Sequence, residues 1–97
     1  MNRKEQIKQM IRDVVKKHLP NQDYKLFIFG SQANLPDLIR SDIDVGIDAG
    51  TKLEYGLMSR IHQDLEDMPT LYFFDFVDFK NVSDKFNQIA LKNIETL

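Results

Sequence analysis

The chain has 97 residues, of which 42% are hydrophobic and 29% are charged, a composition typical of one globular domain. No apolar run approaches the roughly 20 residues that span a bilayer, and the first residues contain no apolar signal-peptide core, so we expect a cytoplasmic protein without a membrane segment. There is no cysteine and there are only two histidines. Disulfides and thiolate metal sites are thereby excluded, and any metal should be a hard cation on carboxylates.

Charge is distributed unevenly along the chain. The formal net charge is -2, yet residues 1–19 contain six Lys and Arg against two acids, and the remainder contains seven against thirteen. The basic residues considered in the first segment are Lys4, Lys8, Arg12, Lys16 and Lys17. They either form a solvated helix face or contact phosphates or a partner, and the sequence leaves both interpretations open. The acidic remainder argues against broad nucleic-acid binding.

The first half of the chain predicts one helix and two strands. Apolar residues at helical spacing, followed by Pro20, predict a helix over residues 4–18. The apolar run 25–29 predicts a buried strand that ends in a turn at Gly30, and residues 32–40 read as a loop with at most one helical turn. Alternation over 42–48 predicts a second strand, whose direction relative to the first the loop length does not decide.

The second half predicts two helices around a third strand. Thr51 and Glu54 have the spacing of a capping box before a helix with the stripe Leu53, Leu57, Ile61 and Leu65, which should end near residues 68–69. Residues 71–79 predict an aromatic strand, after which Ser83 should cap a last helix. That helix is expected to turn inward Phe86, Ile89, Ala90, Ile94 and Leu97. The order of elements predicts a single α/β domain over residues 1–97, with a small sheet covered by helices.

Two aspartates mark the second strand as chemically unusual. Asp42 and Asp44 share one strand face, because side chains two residues apart point the same way. Aspartate is disfavoured in strands, and neighbouring carboxylates attract cations, so this pattern suits one or two Mg²⁺ ions. A further acid lies in the aromatic strand, either Asp75 or Asp78; these point to opposite faces, and periodicity does not choose between them.

A glycine and a serine follow the first strand. Gly30 allows a sharp turn and close approach of a ligand to the backbone, and Ser31 adds a hydroxyl group. Together they suit the outer phosphates of a nucleotide. Taken alone, the pair would indicate only a turn.

Three segments together resemble the minimal nucleotidyltransferase family of the DNA polymerase β superfamily. They are Phe29-Gly30-Ser31, then after ten residues Asp42-Ile43-Asp44, and later the strand beginning Phe74-Asp75-Phe76. The resemblance implies a mixed sheet of three or slightly more strands with helices packed on it. It also implies that Asp75 is the third acid, which leaves Asp78 to face solvent or to cap the strand end.

The activity implied by the resemblance is Mg²⁺-dependent nucleotidyl transfer from ATP. In the family, two aspartates such as Asp42 and Asp44 hold two Mg²⁺ ions, and a third such as Asp75 holds the catalytic ion and helps to deprotonate the acceptor. Gly30 and Ser31 would position the β- and γ-phosphates. The short members that this chain resembles typically occur as antitoxins beside a helical HEPN toxin, and some transfer AMP to a toxin tyrosine. The resemblance therefore implies a HEPN-type partner, and the expected assembly is a homodimer or a hetero-oligomer.

One departure from the family concerns the residues after the turn. Many members follow Gly-Ser with Arg-Ala-Arg-Gly, whereas this chain has Gln32-Ala33-Asn34-Leu35. Two positive charges near the phosphates are missing, which weakens the expected triphosphate binding. The alternative function is therefore an antitoxin that neutralises its partner by binding, with slow or no turnover.

Overall fold

The structure, a computed structural model, describes residues 2–97 as three helices around a four-stranded sheet. In chain order the elements are α1 (Arg3–His18), β1 (Lys25–Phe29), a 3₁₀ turn (Gly30–Gln32), β2 (Asp42–Asp48), α2 (Tyr55–Glu66), β3 (Phe73–Asp78), α3 (Asp84–Ala90) and β4 (Ile94–Thr96). The strand order is β3-β2-β1-β4. Strand β1 is antiparallel to β2 and to β4, whereas β2 and β3 are parallel, so the sheet is mixed, as the family resemblance implied.

The two faces of the sheet are covered differently. Alternate side chains such as Ile28, Val45 and Phe74 form the main core with α1 and α2. On the opposite face, Phe27, Phe29 and Phe79 form a smaller aromatic cluster. Helix α3, which contains no buried residue, lies beside that cluster through Phe86. The second face is therefore only partly covered, and the aspartates of β2 are on it.

The first half of the fold agrees with the sequence prediction. Strands β1 and β2 have the predicted bounds, and α1 begins one residue earlier than expected. The Asn2 side chain accepts a hydrogen bond of 2.9 Å from the Glu5 backbone N–H, which satisfies one of the free donors at the start of the helix. No helix within residues 2–97 combines the length and apolar character that crossing a bilayer requires.

The predicted capping box of α2 is wrong. Glu54, not Thr51, occupies the N-cap position, and no side chain caps this helix. The cause lies in the segment just before it, where the buried Asp78 carboxylate accepts a 2.8 Å hydrogen bond from the Leu53 backbone N–H. This bond holds Leu53 outside the helix while its side chain still packs in the core.

The prediction of a long last helix is also wrong. Ser83 does cap α3, since its Oγ accepts a 3.1 Å hydrogen bond from the Phe86 backbone N–H, but the helix ends at Ala90. Residues 94–96 instead form β4 and pair with β1. This strand satisfies backbone groups along β1 that would otherwise be exposed at a sheet edge. Phe86 and Ile89, predicted to face inward, are exposed.

Lys4 belongs to neither of the two interpretations proposed for the basic residues. It is buried, its ammonium donates hydrogen bonds to the carbonyl oxygens of Gln32 and Leu35, and it lies 2.5 Å from a Glu95 carboxylate oxygen. Lys8 contacts the same carboxylate at 3.0 Å. These two lysines therefore tie α1 to β4 and to the loop after the 3₁₀ turn.

Candidate active site

The sequence-predicted site residues meet at one edge of the sheet. Because β1 is antiparallel to β2, and β2 is parallel to β3, the end of β1 adjoins the beginnings of β2 and β3. In this register Phe29 pairs with Asp44, and Asp44 pairs with Asp75. The turn at Gly30 therefore lies next to Asp44 on one side, and Asp75 lies next to it on the other.

The backbone at Gly30 requires glycine for two reasons. Its φ angle is +76°, in the left-handed region that residues with a Cβ rarely adopt. In addition, a Cβ built at this position would lie 2.6 Å from Asp44 Oδ2. The Asp44 carboxylate thus lies directly against the turn, and the neighbouring Ser31 is exposed.

Replacing Gly30 tests this close approach. We expect Gly30→Ala to lower the free energy of unfolding by about 1–3 kcal/mol, because the left-handed backbone and the contact with Asp44 both become unfavourable. Urea denaturation measures this loss. Gly50→Ala is the matched control, because Gly50 has a φ of +80° but open space around the added Cβ. Equal losses in the two variants would show that the contact with Asp44 contributes nothing.

Asp44 and Asp75 form a pair of opposed carboxyl groups. The pKa of Asp44 is raised above its ordinary value, first because the group is partly buried, then because its side chain hydrogen-bonds with Asp75 and feels the negative charges of Asp75 and Asp42. A bound cation would neutralise the charges of these neighbouring carboxyl groups. Asp75 and the nearby Asp42 are exposed, so the pair of Asp44 and Asp75 is open to solvent on this face of the sheet.

The carboxylates of Asp42, Asp44 and Asp75 are suitable ligands for a hard cation, although their side chains are not arranged as a complete metal site. Within residues 2–97 no group of three or more His, Asp and Glu side chains is arranged to hold a metal ion. Asp44 and Asp75 are brought together, while the exposed Asp42 acts on Asp44 through its charge. Carboxylate oxygens are the ligands that Mg²⁺ prefers, and binding would relieve the repulsion that, after burial, raises the Asp44 pKa.

Asp78 lies on the other face of β3 and has a structural environment. Asp78 is buried, so the expectation that it faces solvent is wrong. Its Oδ1 accepts a 2.9 Å hydrogen bond from the Lys80 backbone N–H, so it does cap the strand end, and its Oδ2 holds Leu53. The two acids that periodicity could not distinguish thus have different surroundings. Asp75 lies beside Asp44, whereas Asp78 is buried and accepts hydrogen bonds from two backbone N–H groups.

Gln32 stabilises the loop between the turn and β2. Its side chain is 1% exposed and donates hydrogen bonds to the carbonyl oxygens of Arg40, at 2.9 Å, and Asp42, at 2.5 Å. Its Oε1 accepts from the backbone N–H groups of Ile39 and Arg40. The residue that stands in place of a family arginine therefore bonds to the loop and fixes the entry into β2.

We expect Gln32→Leu to lower the free energy of unfolding by about 2–4 kcal/mol, because it leaves several backbone groups of the loop without partners. Chemical denaturation by urea checks this, with the exposed Gln22→Leu as control. A loss no larger than that of the control would mean that water replaces the Gln32 side chain without cost.

Asn34 and Asn93 connect the turn at Gly30 to β4. Asn34 has a φ of +65°, which asparagine tolerates better than most residues, and its Nδ2 donates to Asn93 Oδ1 at 2.8 Å. Its backbone N–H donates to Glu95 Oε1 at 2.8 Å, and Asn93 Nδ2 donates to the Gly30 carbonyl at 3.2 Å. Sequence reasoning did not find Asn93 or Glu95, because it placed them on a helix.

Comparison with known proteins was made for the whole chain. A family model described as "Polymerase beta, Nucleotidyltransferase" matches residues 6–97. No curated protein matches the chain.

Solved structures share its fold. One is a crystal structure from Shewanella oneidensis with 22% identity and a TM-score of 0.74, covering 94% of this chain and 68% of that one. Another is a rebuilt structure described as a tri-AMPylated Shewanella oneidensis HEPN toxin in complex with an MNT antitoxin. It has 20% identity and a TM-score of 0.75, and covers 95% of this chain and 69% of that one.

Proposed function

We propose, since the chain belongs to the polymerase β nucleotidyltransferase family, that it transfers AMP from ATP to a tyrosine hydroxyl of a HEPN-type partner protein and so acts as its antitoxin. The observation that carries this proposal is the opposed pair Asp44 and Asp75 directly beside the turn at Gly30. A glycine turn next to carboxylates on adjacent strands suits a nucleotide with its metal ions.

The reaction would form one phosphorus–oxygen bond and break another. The acceptor oxygen attacks the α-phosphorus of ATP, the bond between the α-phosphorus and the bridging oxygen breaks, and pyrophosphate leaves. The proton of the acceptor hydroxyl passes to a carboxylate at Asp75. Mg²⁺, held by Asp42, Asp44 and Asp75, would supply positive charge where negative charge develops.

The residues of the turn would act on the phosphates. The exposed Ser31 can donate its hydroxyl to a phosphate oxygen, and Gly30 allows close approach because it has no side chain. The hydrogen bonds from Asn34 and Asn93 hold this turn in place before ATP binds. A preformed turn costs less entropy on binding than one that must be ordered.

The nature of the partner is supported by the solved neighbour. That structure contains an AMP-modified HEPN toxin with an MNT antitoxin, and this chain shares its fold over 95% of its length. The same kind of pairing would supply an acceptor hydroxyl to this chain.

A second function, binding without turnover, is favoured by one observation. Gln32 is buried and uncharged where many family members have arginine, so the turn lacks that charge for the triphosphate. In this case the chain would neutralise its partner by covering it.

Label transfer distinguishes the two functions. The protein is incubated with ATP labelled on the α-phosphate, Mg²⁺ and the product of the neighbouring gene as the partner, using wild type, Asp42→Asn, Asp44→Asn and the double variant. We expect label on the partner with wild type and at least about a 10²-fold lower rate with each variant. Neutralisation of the partner by the double variant, with no label transferred by wild type, would overturn the enzymatic proposal in favour of binding.

A further inference from the structure

Three large apolar side chains are unusually exposed at one corner of the protein. Ile39 is 72% exposed, Leu71 is 91% exposed and Phe73 is 63% exposed. We call these three residues the acceptor-side patch. Soluble proteins rarely leave such side chains together in water unless they contact a partner.

The patch adjoins the catalytic carboxylates on the side away from the phosphate turn. Phe73 pairs with Asp42 in the sheet and stands two residues before Asp75, so its side chain is on the same face as both acids. The backbone N–H of Phe73 donates a 2.8 Å hydrogen bond to the Ser41 carbonyl. This bond joins the two loops that carry the other members of the patch.

The location corresponds to the acceptor side of the reaction. In the sheet the order runs from the turn at Gly30, past Asp44, to Asp75 and the edge strand β3. The phosphates would occupy the first end, which leaves the end at Asp75 for the acceptor hydroxyl. Phe73 of the acceptor-side patch borders this end of the site.

A partner cannot simply add a strand to β3 at this point. The Phe74 backbone N–H donates to Glu66 Oε1 at 2.6 Å, and its carbonyl lies 2.6 Å from His62 Nε2. The side chains of His62 and Glu66 on α2 therefore already bond to the backbone groups of Phe74 that an added strand would need. Recognition here has to use side chains.

Two arginines give the patch a charge preference. Arg3 and Arg40 line a groove of about 510 Å³ together with Ile39 and Leu71. Within residues 2–97 neither arginine forms an ion pair with a carboxylate. An occupant with acidic groups beside apolar side chains would complement this surface.

We infer that the acceptor-side patch docks an apolar segment of the partner protein, flanked by acidic groups, that carries the acceptor hydroxyl. This inference rests on the proposed function for the role of the hydroxyl. A small molecule is a poor occupant, because side chains exposed by 63–91% do not enclose a ligand. A protein surface can cover all three at once.

Binding measured without catalysis tests the inference separately from the proposed function. Asp44→Asn protein is immobilised, and its affinity for the product of the neighbouring gene is measured by biolayer interferometry, alone and with Ile39→Ser and Leu71→Ser added. We expect the two patch substitutions together to weaken binding by at least about 10-fold. Tyr55→Ser is the matched control, because Tyr55 is 88% exposed at the start of α2, and it should change the affinity by less than about 2-fold.

Several results would overturn the inference. Equal affinity with and without the patch substitutions, no binding by the unsubstituted surface, or an equal loss with Tyr55→Ser would each do so. Light scattering that shows a dimer dissociated by Leu71→Ser would assign the patch to a second copy of this chain. Binding of a single-stranded RNA that the same substitutions abolish would assign it to nucleic acid. Unchanged melting temperatures establish that the variants are folded.

Discussion

Asp75→Asn is expected to lower the rate of AMP transfer by about 10²–10⁴-fold without weakening the fold. Asparagine cannot take the proton of the acceptor hydroxyl, and it is a poorer ligand for Mg²⁺ than a carboxylate. The substitution also removes the negative charge of Asp75, which faces Asp44 and is one of the causes of its raised pKa. We therefore expect the free energy of unfolding to stay equal or to rise by about 0.5–1.5 kcal/mol, a common exchange of stability for activity.

Asp78→Asn is the matched variant, because it changes the other acid of the same strand. Asp78 is buried and accepts hydrogen bonds from the backbone N–H groups of Leu53 and Lys80. An amide nitrogen would face one of these donors, so we expect a loss of about 1–3 kcal/mol in the free energy of unfolding. Transfer by the folded fraction should remain within about 3-fold of wild type, a change of less than 1 kcal/mol in the barrier.

Both quantities are measured on the same preparations, the transfer rate with α-labelled ATP and the stability by urea denaturation. The expected pattern is opposite in the two variants, with activity lost in Asp75→Asn and stability lost in Asp78→Asn. If Asp78→Asn loses transfer while Asp75→Asn retains it, the assignment of the third acid is wrong. Loss of stability in Asp75→Asn would show that its contact with Asp44 stabilises the fold.

Much of the candidate site follows from local sequence patterns. Alternation over 42–48 predicted both the strand and the shared face of Asp42 and Asp44, because the period of a strand is two residues wherever it lies in the fold. The turn at Gly30 followed from an apolar run that ends in glycine. The choice of Asp75 needed the family resemblance, since only the pairing of β3 with β2 brings it to Asp44.

The supports of the site depend on distant contacts and could not be predicted in this way. Ile94 and Thr96 form a strand because β1 offers an edge more than sixty residues earlier in the chain, while the local spacing of apolar residues favours a helix. Lys4 seemed a surface residue because its burial depends on Glu95 in that strand. In the sequence, Gln32 appeared only as the replacement of a family arginine. Its hydrogen bonds to the backbone of Ile39 and Arg40 depend on the path of the loop.

Glu95→Gln is expected to lower the free energy of unfolding by about 2–4 kcal/mol near neutral pH. Glu95 lies within 2.5 Å of the buried Lys4 ammonium and 3.0 Å of Lys8, and it accepts a hydrogen bond from the Asn34 backbone N–H. The neutral amide leaves Lys4 with two carbonyl acceptors but without a counter-charge. Since Glu95 also joins β4 to the turn after β1, the loss should loosen the turn at Gly30 as well.

The loss of stability in Glu95→Gln should depend on pH, because the pKa of Glu95 is lowered in the folded protein. Partial burial tends to raise the pKa of Glu95, but the hydrogen bonds from Lys4, Lys8 and Asn34 outweigh it, so the pKa is lowered from 4.5. A carboxyl with a lowered pKa in the folded state stabilises the protein above its unfolded-state pKa and loses this contribution as the pH falls through the folded-state value. The stability difference between wild type and Glu95→Gln should therefore be full above about pH 5.5 and shrink steadily below about pH 4.5. Urea denaturation across this range measures it, with the exposed Glu54→Gln as control, and a difference independent of pH would mean that the Glu95 charge does not stabilise the buried lysine.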